Sequence, residues 1–305
     1  MAGAKGVSDP VLAWNLTGIK DWETVPVFLD IARQMRPFFA YGEQWETMDH
    51  AALQAGGFLD EAGYATAIPE GQGGIRTVWA WTPEMGGKAR AGVYVMTYKG
   101  KGALAFGGDA RIVSQQPGRI ILENVSGGTF WLDISAIAAG DHPRDFSLVR
   151  ADKLALHEAG AIFDPQWLSL VADARELRFM DWMQTNEALP PGFADRPEPL
   201  DATYTERGVP IEVMVRLANE AGVDPWFTMR HDADDDTIRA YATYVRDHLD
   251  PRLKAHVEYS NETWNAAFTQ FGWLRDKAVA DWGEEAREDW EIIFDYHVRQ
   301  AARTA

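Results

Sequence analysis

The chain has 305 residues, of which 46% are hydrophobic and 25% charged, with a formal net charge of −17 and 13 tryptophans. This length suits one large domain or two ordinary ones. So acidic a surface repels phosphate backbones, which argues against nucleic acid as a partner. Because there is no cysteine, disulfides, thiolate metal sites and a cysteine nucleophile are excluded, while the compartment stays open.

No apolar run approaches the ~20 residues that a membrane helix requires, and no signal-like hydrophobic segment follows Met1. We therefore expect a soluble protein without a membrane partner, either cytoplasmic or exported with a signal outside this sequence. The excess of tryptophan favours a carbohydrate ligand, because flat aromatic rings stack on the apolar face of a pyranose.

The beginning of the chain predicts a strand followed by a helix. Residues 11–16 form an apolar run, and apolar residues recur at helical spacing over 27–35, with Pro26 at the start and Pro37 at the stop. The next stretch, 63–150, changes to short alternating runs separated by glycine-rich turns. That pattern is typical of an antiparallel β-sandwich.

The last stretch, 151–305, returns to alternating helices and strands. Helices are predicted at 163–174, 211–221, 234–249 and 268–304, and strands at 177–183, 225–229 and 255–259. Such alternation predicts parallel strands joined by crossovers. With the first strand and helix, this gives four units, half of a (β/α)₈ barrel. We therefore predict an α/β fold in which 1–62 and 151–305 form a partial (β/α)₈ TIM barrel, with an inserted antiparallel β-sandwich at 63–150.

In such barrels the active site lies at the carboxyl ends of the strands. The polar residues there are Asn15 after the first strand, Asp181 in the second, His231 after the third, and Ser260, Asn261 and Glu262 after the fourth. Glycoside hydrolysis needs a carboxyl group that protonates the leaving oxygen, and a partly apolar cleft suits it because desolvation raises a carboxyl pKa. We predict Glu262 as this general acid/base and Asn261 as the partner of the sugar 2-hydroxyl. The other predicted substrate-binding residues are Asn15, Asp181, Trp182, His231 and Trp264.

The run Val257–Asn265, VEYSNETWN, resembles the fourth-strand motif of a large clan of retaining (β/α)₈ glycosidases, in which an Asn-Glu pair carries the acid/base. Residues 178–186 and 224–229 resemble a bacterial subgroup described as glycosidases or cellulose-binding proteins. The resemblance implies a retaining glycoside hydrolase that acts on a β-linked poly- or oligosaccharide, with no cofactor and no metal.

In that clan the nucleophilic Glu follows the seventh strand, whereas this sequence ends after the fourth helix. The resemblance therefore implies a longer parent protein that supplies the second half of the barrel, and no hydrolysis by this chain alone.

Other interpretations of the same residues stay open. Glu262 could cap the following helix, with Asn261 as a turn residue. Asp181 is expected to be a structural strand-end acid rather than a second catalytic carboxylate. His231 and the aspartates within 232–236 could bind a metal, although aspartates before a helix more often supply its N-cap and first-turn charges. For the whole protein, the alternative is a non-catalytic carbohydrate-binding protein.

Overall fold

The computed structural model describes residues 8–23, 26–187, 192–283 and 288–305. The chain folds into two compact units. The first comprises the chain up to Gly18 with Leu168–Pro199 and Arg207–Ala305, and the second comprises Ile19–Trp167 with Leu200–Glu206. The second unit contains the predicted insertion 63–150 but extends beyond it on both sides.

The strands and helices of the described residues are numbered here in chain order. The strands are β1 (Ala13–Asn15), β2 (Phe39–Tyr41), β3 (Gly74–Trp79), β4 (Gly92–Lys99), β5 (Gly102–Gly108), β6 (Ala110–Gln116), β7 (Arg119–Asn124), β8 (Phe130–Ile137), β9 (Arg144–Arg150), β10 (Glu176–Arg178), β11 (Asp224–Met229) and β12 (His256–Tyr259). The α-helices are α1 (His50–Ala55), α2 (Lys88–Arg90), α3 (Leu154–Glu158), α4 (Pro165–Val171), α5 (Ile211–Ala221), α6 (Asp235–His248), α7 (Thr269–Trp282) and α8 (Asp289–Thr304). None of these described helices is both long and apolar enough to cross a membrane.

The first unit contains a four-stranded parallel sheet in the order β1-β10-β11-β12. The prediction of four adjacent parallel strands is therefore confirmed. Helix α5 follows β10 and is C-capped by Gly222, whose φ of 65° is the left-handed conformation that glycine adopts freely. Helix α6 follows β11, and its N-cap Asp234 accepts a 2.7 Å hydrogen bond from the Thr237 amide. This confirms the N-cap interpretation for that aspartate.

The second unit contains two antiparallel four-stranded sheets, ordered β2-β3-β8-β5 and β6-β7-β4-β9. Both sheets contribute to one hydrophobic core, in which Ile75 and Leu132 come from one sheet and Ile120 and Leu148 from the other. This arrangement is the predicted sandwich. Together the three sheets make a mixed α/β structure.

The predicted helix over 27–35 is wrong. Only a 3₁₀ turn, Ile31–Gln34, forms there. The preceding residues are extended, because Phe28 and Asp30 form antiparallel bridges with Phe163 and Val149. The side chain of Gln34 accepts the Val27 amide at 3.0 Å, which replaces a helical partner. The apolar spacing therefore marked burial rather than a helix.

Other boundaries differ less. Strand β10 ends at Arg178 instead of 183, and the chain turns immediately, with the Met183 amide donating to the Phe179 carbonyl at 2.8 Å. Asp181 therefore lies in a turn after the second strand and not within it. The helix expected at 163–174 is shorter, and the helical tail is two helices, α7 and α8.

Candidate functional site

An arginine at the carboxyl end of β10 is the centre of a polar network on one face of the parallel sheet. Arg178 donates from Nε and Nη2 to the two carboxylate oxygens of Glu258, both at 2.9 Å. Its Nη2 also donates to Asn261 Oδ1 at 3.1 Å, and its Nη1 donates to Asn15 Oδ1 at 3.3 Å. Strand β1, strand β12 and the turn after β12 each supply one partner to this one guanidinium of β10.

The register of the sheet explains why these residues meet. Asn15 is paired with Arg178 across β1 and β10, and Thr228 is paired with Glu258 across β11 and β12. Paired residues of parallel strands point to the same face. The Thr228 hydroxyl donates to Glu258 at 3.1 Å, so this carboxylate accepts hydrogen bonds from two neighbouring strands. The Arg178 and Glu258 side chains are 17% and 29% exposed.

Asn261 is held from several directions. Its Oδ1 accepts from Arg178, and its Nδ2 donates to Asn186 Oδ1 at 3.2 Å. Gln270, fully buried in α7, donates from Nε2 to the Asn261 carbonyl at 2.7 Å and to Asn186 Oδ1 at 2.8 Å. A side-chain amide has two N–H donors. Only one of those of Asn261, the one directed to Asn186, is used in this network.

Glu262 lies in a strained turn and is exposed rather than placed in the predicted partly apolar cleft. Its carboxylate accepts a 2.8 Å hydrogen bond from Asn265 Nδ2. Its φ is 41° and that of Ser260 is 60°, so non-glycine residues on both sides of Asn261 adopt the left-handed region. Helix α7 begins at Thr269 with Phe268 as its N-cap, so the alternative that Glu262 caps this helix is wrong.

His231, just after β11, is buried, with 6% of its surface exposed. Its ring packs edge-on against Trp273 at a centroid distance of 5.3 Å, and its carbonyl accepts from the Tyr259 hydroxyl at 2.8 Å. Burial lowers the pKa of His231, an effect that the charge of Arg230 reinforces and that of Asp232 opposes. The buried Nδ1 has no hydrogen-bond partner among the described residues.

The remaining predicted residues are divided between surface and interior. Trp182 is 1% exposed and donates from Nε1 to the Thr17 carbonyl at 3.1 Å, so its indole packs inside the unit and offers no open face to a ligand. Trp264, by contrast, is 60% exposed. Asp181 is partly exposed in the turn after β10. Among the described residues, no group of three or more acidic, histidine or cysteine side chains is arranged to bind a metal.

A groove of about 470 Å³ runs beside Glu258. It is lined in part by Trp226, His256 and His297. The His297 Nδ1 lies 3.1 Å from the Thr263 hydroxyl, which belongs to the turn that carries Glu262. Burial lowers the pKa of His297, and the charge of Glu258 opposes this. The groove therefore combines an aromatic ring, a carboxylate and hydrogen-bonding groups.

Arg178 and Glu258 were not predicted as site residues from the sequence. The available signal was the presence of charged residues in short strands that are otherwise mostly apolar, since a charge that is largely removed from water requires a partner. Comparisons with protein-family models, curated proteins and solved structures give no match.

Proposed function

We propose that this chain carries part of the active site of a retaining glycosidase that acts on a β-linked poly- or oligosaccharide. The observation that carries the proposal is the network of Arg178, Glu258 and Asn261 at the carboxyl ends of β10 and β12, two strands of the parallel sheet with β11 between them. In (β/α)₈ barrels these strand ends hold the active site. We take the four strands to be the first half of such a barrel.

In the proposed mechanism, Glu262 donates its proton to the leaving oxygen and later removes a proton from the attacking water. Its exposed position makes the carboxyl group, which accepts one hydrogen bond from Asn265, accessible to a glycosidic oxygen. Asn261 uses its remaining N–H to bind the sugar 2-hydroxyl. Arg178 neutralises Glu258 and fixes Asn261, so it positions the site without reacting. A second carboxyl group, about 5–5.5 Å from the first, completes retaining chemistry.

The test is Glu262→Gln in the protein that contains this chain, assayed on glycosides with poor and with good leaving groups. Loss of the transferable proton is expected to slow poor leaving groups by about 10²–10⁴-fold. Good leaving groups need no protonation, so their first step is spared while their second step slows and is rescued by azide. Glu158→Gln, an exposed carboxylate of the second unit, is the control. Unchanged rates for Glu262→Gln on an unactivated glycoside refute the assignment.

One observation favours the alternative of a carbohydrate-binding protein without catalysis. The carboxylate of Glu262 is bound by Asn265, and that of Glu258 is neutralised by Arg178. Both carboxylates are thus already engaged in the protein alone. Glycan binding that survives Glu262→Gln, with no product formed by either protein, supports this alternative. Turnover by the unmodified protein excludes it.

A further inference from the structure

The outer face of one sandwich sheet carries a cluster of aromatic rings around an arginine. We propose that Tyr41, Trp45 and Trp131, arranged around Arg76, form a glycan-binding platform in the second unit. That the ligand is a glycan rests on the proposed function. The position of these rings is set by the geometry of the second unit alone.

The register of the sheet places these residues on one face. Arg76 of β3 is paired with Phe39 of β2 and with Asp133 of β8, and Val78 is paired with Trp131. Neighbouring strand residues such as Ile75, Leu132 and Ile134 belong to the sandwich core on the opposite face. Side chains alternate between the faces of a strand. The platform therefore covers the side of the sheet that faces away from that core.

Arg76 holds the rings in position. Its guanidinium carbon lies 4.2 Å from the ring centroid of Trp45, 4.3 Å from that of Tyr41 and 5.3 Å from that of Trp131. Asp133 accepts from Arg76 Nε at 2.6 Å and from Nη2 at 2.9 Å. The guanidinium packs against one side of the Trp45 ring, yet 45% of this residue is exposed. Its open side is therefore available for stacking.

Two glycines of β5 set the position of the Trp131 indole. A Cβ atom built on Gly107 would lie 2.5 Å from the Trp131 ring, and one on Gly108 would lie 2.6 Å from it. The ring thus lies against backbone where no side chain fits. Trp45 packs edge-on against Trp131, with centroids 5.1 Å apart. Both indoles are held in place before any ligand arrives, which reduces the entropy lost on binding.

A pyranose ring matches this surface. It presents apolar C–H groups to an indole face and hydroxyls at its rim, and polar side chains border the platform. The side chains of Thr47 and Gln72 are hydrogen-bonded to each other beside the rings. The carboxylate of Asp133 accepts from Arg76, around which the rings are arranged. The formal charge of −17 disfavours nucleic acid bases as the stacking ligand. A neutral, β-linked polysaccharide is the occupant that fits both the rings and the charge.

The experiment measures affinity for soluble cellulose derivatives, mixed-linkage β-glucan and xylan by affinity electrophoresis and calorimetry. Trp45→Ala is the main variant because this side chain is exposed. Loss of one stacking partner is expected to weaken binding about tenfold, equal to about 1.4 kcal/mol. Trp22→Ala, which removes another exposed tryptophan of the same unit, should bind as the unmodified protein does. Trp131→Phe, which keeps an aromatic ring over the two glycines, should lose less than Trp45→Ala.

Absence of binding to every polysaccharide, or equal losses for Trp45→Ala and Trp22→Ala, overturns the proposal. So does a change of sedimentation coefficient on Trp45→Ala, which would identify the platform as a contact between copies of the chain. Glu262→Gln should leave platform binding unchanged. If the platform binds glycan while Glu262→Gln leaves catalysis intact, the proposed catalytic role fails and the platform stands.

Discussion

The ion pair at the centre of the candidate site should be a major determinant of the stability of its unit. Arg178→Met removes both donors to Glu258 and the donors to Asn261 and Asn15. Removal of one partner of a buried ion pair costs about 3–5 kcal/mol, because the other charge is left uncompensated. Because the side chains of Arg178 and Glu258 are 17% and 29% exposed, solvent screens part of the uncompensated charge and reduces this cost. We expect Arg178→Met to lower the free energy of unfolding by about 2–3 kcal/mol.

A double-mutant cycle isolates the pair. Glu258→Gln keeps the size of the side chain and removes its charge, and it should cost about 1–2 kcal/mol. If the two side chains act as a pair, the double variant should cost less than the sum of the single variants, by at least about 1.5 kcal/mol. Hydrogen exchange of the amides of β10 to β12 in increasing urea reports the unit that holds the pair.

The control is an equally close pair on the surface of the same unit. Arg246 and Asp247 share two hydrogen bonds of 2.7 and 3.0 Å, but both side chains are well exposed. Arg246→Met should leave the urea dependence of hydrogen exchange in β10 to β12 unchanged. A coupling energy below about 0.5 kcal/mol for Arg178 and Glu258, the value of a surface pair, would refute the claim that this pair organises the site.

Two further changes test the fold. Burial lowers the pKa of His231 below its ordinary 6.5. Below about pH 6.5 the unfolded chain therefore binds a proton more readily than the folded chain does. The contribution of His231 to the free energy of unfolding is thus complete above about pH 6.5 and is lost as the pH falls below it. His231→Asn should flatten this acid slope of the urea midpoint, and an unchanged slope would contradict the argument. Gly100→Ala should destabilise the second unit far more than Gly140→Ala, in melting curves read by near-ultraviolet dichroism. Both glycines have positive φ, but only at Gly100 would a Cβ meet a backbone atom, the carbonyl oxygen of His142 at 1.9 Å. Equal melting temperatures for the two variants would show that this clash does not destabilise the unit.

The parallel sheet could be predicted because its signal is local. Each strand was predicted from a short run of sequence rich in apolar residues, and the helices α5 and α6 have a clear apolar face and a definite end, with Gly222 and Leu249 as their C-caps. The segment 27–35 was mistaken for a helix because its apolar residues are buried in either conformation. The extended conformation is selected by the pairing of Phe28 with Phe163. This contact joins residues that are distant in sequence, so the spacing of apolar residues cannot predict it.

The site could be predicted only in part for the same reason. Asn261 and Glu262 belong to one short motif, so the sequence alone indicated them. The partners of Asn261 are Arg178 of β10, Asn186 of the turn after it and Gln270 of α7, and only the tertiary packing of these elements brings them to Asn261. The aromatic platform is likewise a product of register, since Arg76 and Asp133 face each other across two strands.

The backbone after β12 gives a separate reason to expect a functional turn. Of the described residues, the non-glycine positions with positive φ include Ser260 and Glu262 on either side of Asn261, and Gln184 in the turn after β10. Such conformations cost of order 1–3 kcal/mol each, and they cluster at sites where a side chain is required. A turn that served the chain path alone would be more stable with glycine. Ser260 and Glu262 keep side chains at this cost, and the Glu262 carboxylate is directed to the surface. We propose that this strain is tolerated because the Glu262 carboxylate is needed at that position, as the proposed acid/base role would require.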